Sequence, residues 1–108
     1  MTADTLMRVH KEISDLKYPM NLVGSNSFRD GVIHFLKNPH DIGYMSAAYF
    51  AIEKKYGVSS KNIERNLRTL ASTWWKDNQC SGLFAKKPKV SELMHTVATK
   101  IAVSLEIY

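Results

Sequence analysis

The chain has a single cysteine, Cys80, in 108 residues. That excludes an internal disulfide, and with no Cys or His at ligand spacing it excludes a zinc knuckle as well. Long apolar runs are missing too. The best, residues 44–52, is nine residues with Ser46 inside it, against the roughly 18 to 20 that a membrane helix needs. The N-terminal Met-Thr-Ala-Asp-Thr-Leu has no basic cluster followed by an apolar core, so no secretory signal is expected. No segment alternates apolar and polar residues for long, and Asp30-Gly31 lies inside a helical pattern rather than between β-branched runs. No nucleophile motif, phosphate-binding glycine loop or paired catalytic carboxylate occurs. His10, His34, His40 and His95 form no i, i+4 pair that would hold a metal. The expectation is a cytoplasmic protein that is no enzyme and needs neither metal nor cofactor.

What is present is an ordinary globular composition, 44% hydrophobic and 23% charged, at a length suited to one domain over residues 1–108. The net charge of +5 is unevenly placed. Residues 54–89 hold nine basic side chains against Glu64 and Asp77, whereas the rest of the chain has six basic and eight acidic. All of the excess lies in one third of the sequence. A polyanion-binding surface needs such a gradient, because each neutralised phosphate releases counterions. A solvated basic face without a partner is the plainer alternative.

Breakers at Pro19, Gly24, Pro39, Gly57, Gly82 and Pro88 cut the chain into segments of helical length. Leu6, Val9, Ile13 and Leu16 fall on one helical face. Phe28, Val32, Phe35 and Leu36 form a second, with Ser25 or Ser27 placed to cap it. A third helix is expected to start near Pro39 and to carry Ile42, Met45, Tyr49, Ile52 and Tyr56. A fourth covers about 60–76, a short stretch surrounds Leu83-Phe84, and a last helix has Leu93, Val97, Ile101 and Leu105 on one side. The fold class is all-α, a compact bundle of about five to six helices.

In the fourth helix Ile63, Leu67, Leu70, Ala71 and Trp74 share an apolar arc, with Lys61, Glu64, Arg65, Arg68, Thr69 and Ser72 opposite. Trp74 is in phase with Leu67 and Leu70, so it reads as core, with Trp75 partly exposed. Tyr44, Tyr49 and Tyr56 read as core or core-edge. Gly57 can take the left-handed conformation that stops a helix, Val58 can point back to the core, and Ser59 or Ser60 can cap the next helix. Two helices joined by so short a turn form a helix-turn-helix, over about 41–76. Glu53 departs from the small residue usual where two such helices touch. The second helix would present its N-terminal half to a major groove.

The run Glu53-Lys54-Lys55-Tyr56-Gly57-Val58-Ser59-Ser60-Lys61-Asn62-Ile63-Glu64-Arg65-Asn66-Leu67-Arg68 resembles the core of the C-terminal effector domain of stage zero sporulation protein A, the response regulator that starts sporulation. Upstream, Pro19, Asn21-Leu22, Gly24 and Phe28-Arg29-Asp30 are similar to that family's pattern, with Asn21 in place of a histidine. Downstream, Leu83-Phe84 and Lys87-Pro88 followed by Ser91-Glu92-Leu93 are similar to it as well. The resemblance spans about residues 12 to 105. It implies a six-helix DNA-binding domain that regulates transcription. It also implies a contact with the polymerase sigma factor through the segment between Trp75 and Leu83, which is shorter here than in the family pattern. The stretch from Phe84 to Lys87 is shorter too. The chain begins just ahead of the first helix, so a regulator without the receiver domain is expected. Thr69 replaces the histidine that follows the second recognition-helix arginine, which points to a shifted base preference.

Arg65 and Arg68, three residues apart on the exposed face, can each bind guanine O6 and N7 bidentately, and the family's arginines at these positions do such work. The alternative is a surface ion pair with Glu64 or Asp77. Glu64 could accept from a cytosine amine or serve only solubility. Asn62 and Thr69 are further candidates for base edges. Ser59, Ser60 and Lys61 at the helix start, and Lys86, Lys87 and Lys89 beside Pro88, are candidates for phosphate. The expected partner is double-stranded DNA, with dimerisation on the duplex left open and no membrane involved. The competing reading is a protein-interaction module that titrates a regulator or polymerase subunit without binding DNA.

Overall fold

Apolar residues at three- and four-residue steps produce helices throughout the computed structural model, which describes residues 3–15, 24–42, 44–78 and 84–104. Helix α1 is Ala3–Asp15, α2 Gly24–Lys37, α3 Met45–Tyr56, α4 Ser60–Asn78 and α5 Val90–Ser104, with a 3-10 turn at Pro39–Asp41 between α2 and α3. There is no strand among the described residues, and the fold is all-α. Leu16, Leu83 and Leu105 lie outside the described residues, as do Pro19, Asn21, Leu22 and Cys80.

Helix α2 is the centre of the packing and touches α1, α3, α4 and α5. Its apolar stripe, Phe28, Val32, Phe35 and Leu36, joins Val9 and Ile13 of α1, Ile52 of α3 and Leu93, Val97 and Ile101 of α5 in one hydrophobic core. Each such side chain contributes about 1.5–3 kcal/mol when taken from water. All five residues of the apolar arc of α4, Ile63, Leu67, Leu70, Ala71 and Trp74, are buried in the same core.

Three local expectations need correction. Helix α2 already includes Gly24, so Ser25 and Ser27 lie inside it rather than capping it, and Ser27 is buried. The start of α2 lies directly on α4: a Cβ at Gly24 would stand 2.4 Å from the Asn66 carbonyl oxygen. Pro39 opens the 3-10 turn instead of α3, because proline bars its predecessor from helical geometry and Asn38 has φ −131° and ψ 73°. Helix α3 therefore begins only at Met45, with the half-buried Ile42 ahead of it. Tyr44 is no core residue, being 65% exposed just outside the α3 N-terminus.

Among the described residues no helix is long and apolar enough to cross a membrane, and no group of three His, Cys, Asp or Glu side chains could hold a metal ion.

Candidate nucleic-acid interface

The sequence of the α3–α4 turn accounts for its geometry. Gly57 has φ 67° and ψ 25°, the left-handed conformation that ends α3, and its N–H donates to the Glu53 carbonyl at 2.7 Å. Ser59 caps α4: its Oγ accepts from the Asn62 N–H at 3.3 Å. The Ser60 hydroxyl donates to the Glu53 carboxylate across the turn, which gives the atypical Glu53 a purpose. Ile52 and Ile63 bring the two helices together and are both fully buried. Val58 and Tyr56 do not join them and are 42% and 41% exposed. The turn lies at the surface, with residues 57–62 all exposed, so Val58 has no core within reach. Tyr56 is drawn aside because its hydroxyl donates to the Asp30 carboxylate on α2.

Asp30 also accepts from Lys55 Nζ at 3.1 Å, so one carboxylate on α2 holds both residues that end α3. Burial and the bond to Asp30 push the Tyr56 phenol above its ordinary 10.0. The same carboxylate raises Lys55 and keeps it charged.

On α4 the polar stripe faces outward. Lys61, Asn62, Glu64, Arg65, Arg68 and Thr69 are exposed. Arg68 Nη2 lies 3.0 Å from Glu64 Oε1, an i, i+4 pair. Arg65 has no side-chain partner among the described residues. The Thr69 hydroxyl is engaged within the helix, donating to the Arg65 carbonyl at 3.1 Å. Ser60, through its bond to Glu53, is similarly occupied.

The segment before α5 brings the second set of cations. Phe84 packs edge-on to Trp74, with ring centroids 5.9 Å apart and planes at 89°. Pro88 is buried, so the loop is anchored on both sides of Lys86 and Lys87. Lys87 thereby lines a groove of about 530 Å³ together with Arg65, Arg68 and Thr69. Lys89 faces a neighbouring cavity instead, and Lys86 lines neither. Ser59, Ser60, Lys61 and Asn62 remain at the first turn of α4, outside the groove.

The groove also includes Ser72, Trp75 and Lys76, which sequence reasoning did not assign to the site. The signal was there: Arg65, Arg68, Ser72 and Lys76 follow one another at helical steps of three and four.

No curated protein matches the sequence. A family model does: that of the sporulation initiation factor Spo0A C terminal matches residues 9–101. The match takes in α2, α3 and α4 with the groove, together with the second half of α1 and most of α5, and the chain belongs to this family of Spo0A C-terminal domains.

Proposed function

We propose that the chain is a sequence-specific DNA-binding regulator of transcription, with α4 as the recognition helix in the major groove. Arg65 and Arg68 read guanines, with Glu64, Asn62 and Thr69 as further base contacts. Ser59, Ser60, Lys61, Lys86, Lys87 and Lys89 meet phosphates and set the register of the domain on the duplex. Residues 1–108 act as a single DNA-binding domain.

The observation that carries this reading is the shared groove of Arg65, Arg68 and Lys87. It joins groups suited to base edges with a cation from a separate loop suited to the flanking backbone. Family membership supports it, as does the concentration of positive charge in residues 54–89.

Selection from a random duplex pool, followed by competition of the selected site against its scramble over a range of salt, tests the proposal. An enriched guanine-containing site and a steep salt dependence are expected. Recovery of no site, with equal affinity for all duplexes, would refute sequence-specific binding. Tyr44 and Phe50, 65% and 67% exposed just ahead of α3 and in its middle, favour the second reading, a protein-interaction module. Absence of any duplex binding in the same assay would leave that reading in place.

A further inference from the structure

Beside the groove lies a second cavity, of about 520 Å³, between α3, α4 and the first turn of α5. Met45, Ala71, Pro88 and Val90 give it apolar walls. A small number of polar groups converge on it. The Tyr49 hydroxyl has no hydrogen-bond partner among the described residues. Arg68, Lys87 and Lys89 bring three cations to its lining against the single carboxylate of Glu64, which Arg68 already pairs. Burial, then the charge of Glu64, pushes the Tyr49 phenol above 10.0.

Volume, apolar walls and a few convergent donors are the attributes of a small-molecule site. We propose that this cavity binds a small amphipathic anion, an aromatic or branched aliphatic carboxylate or sulfonate, with its apolar body on Met45, Ala71 and Val90 and its charge toward Tyr49, Lys87 and Lys89. Excess positive charge selects an anion, and the apolar walls select against free phosphate or chloride. The consequence for DNA follows from the shared lining. Lys87 borders both this cavity and the groove, so an anion that engages it here withdraws it from a duplex. Ligand and DNA then weaken each other reciprocally. This antagonism rests on the DNA-binding reading; the site itself does not.

Anilinonaphthalene sulfonate is the probe. Saturable binding of one molecule per chain is expected, with a rise in melting temperature, because a ligand of the native state stabilises it. Met45→Trp, which fills the cavity, should abolish binding. Tyr49→Phe, which removes only the hydroxyl, should weaken it about fivefold, the net worth of one hydrogen bond. Circular dichroism and melting identify any variant that fails to fold, and the other then decides. Folded variants that bind the probe as the unsubstituted chain does would overturn the site. Under constant ionic strength the selected duplex should displace the probe; a duplex that binds while the probe stays in place would overturn the antagonism. A chain that takes the probe but no duplex would refute the DNA reading and leave the site standing.

Discussion

Glu64 Oε1 stands 3.0 Å from Arg68 Nη2 on the exposed face of α4, and this pairing leaves Arg65 as the unengaged guanidinium beside it. The two arginines are thus unequal before any partner arrives. Arg65 is free to extend, whereas Arg68 is held toward Glu64 through one of its N–H groups.

Arg65→Ala is expected to collapse discrimination between a selected site and its scramble. One bidentate arginine–guanine pair supplies roughly 1–3 kcal/mol, about 5- to 150-fold in affinity ratio. The side chain lies opposite Leu67 and Trp74, so helicity and melting temperature should barely change. Competition binding at fixed salt measures the ratio. An undiminished ratio would move the readout to Arg68.

Glu64→Gln should act in the other direction on non-specific binding. It releases Arg68 and removes a negative charge from the surface proposed to face DNA. Exposed i, i+4 pairs are weak, so stability should shift by less than about 0.5 kcal/mol. Affinity for scrambled duplex should rise on the order of threefold at low salt, with the gain fading as salt is added. Fluorescence anisotropy at two ionic strengths reads both effects.

Lys87→Ala should weaken all duplexes similarly and flatten the salt slope by about one unit, as for a lost phosphate contact. Lys86→Ala should do less, because Lys86 does not line the groove. Equal effects of the two substitutions on slope would show that only the overall charge of the loop matters.

Two glycines should respond differently to alanine. At Gly24 the new methyl would meet backbone, with the Asn66 carbonyl oxygen at 2.4 Å, so α2 and α4 must move apart. A loss of about 2 kcal/mol or more is expected. At Gly57 nothing lies within 4 Å and only the left-handed backbone, φ +67°, is unfavourable. Gly57→Ala should cost about 1 kcal/mol, and Gly57→Asn less, since asparagine tolerates that conformation. Urea unfolding of the three variants gives the order.

Tyr56→Phe tests the tie from α2 to the end of α3. The Tyr56 phenol is raised by burial and by Asp30, so the fold favours its neutral form. Its contribution is present in full below the ordinary value of 10.0 and is lost as pH climbs through the raised value. Lys55, raised above 10.5 mainly by its hydrogen bond to Asp30, loses its contribution in the same direction. The variant should therefore melt roughly 3 °C below the unsubstituted chain at neutral pH, and the gap should close in strong alkali. A gap that widened there would refute the assignment.

Helical periodicity is local, and what depended on it was legible in the sequence. The buried arc from Ile63 to Trp74, the exposed arginines opposite it and the stop at Gly57 all follow from residue order and backbone preference. The Glu64–Arg68 pair follows from spacing alone. Where a neighbouring element competed with a local preference, the reading failed. Val58 had no core to return to, Tyr56 was drawn to Asp30, and Gly24 let α2 start against α4 ahead of the serines. Only the tertiary structure decided that Lys87 would stand beside Arg65 and Arg68, because Phe84 on Trp74 and the buried Pro88 carry the loop back across α4. It also decided that Met45, Ala71 and Val90 would line a cavity beside the groove. Contacts between residues distant in the chain depend on the packing of whole helices, and no short-range pattern of residues encodes them.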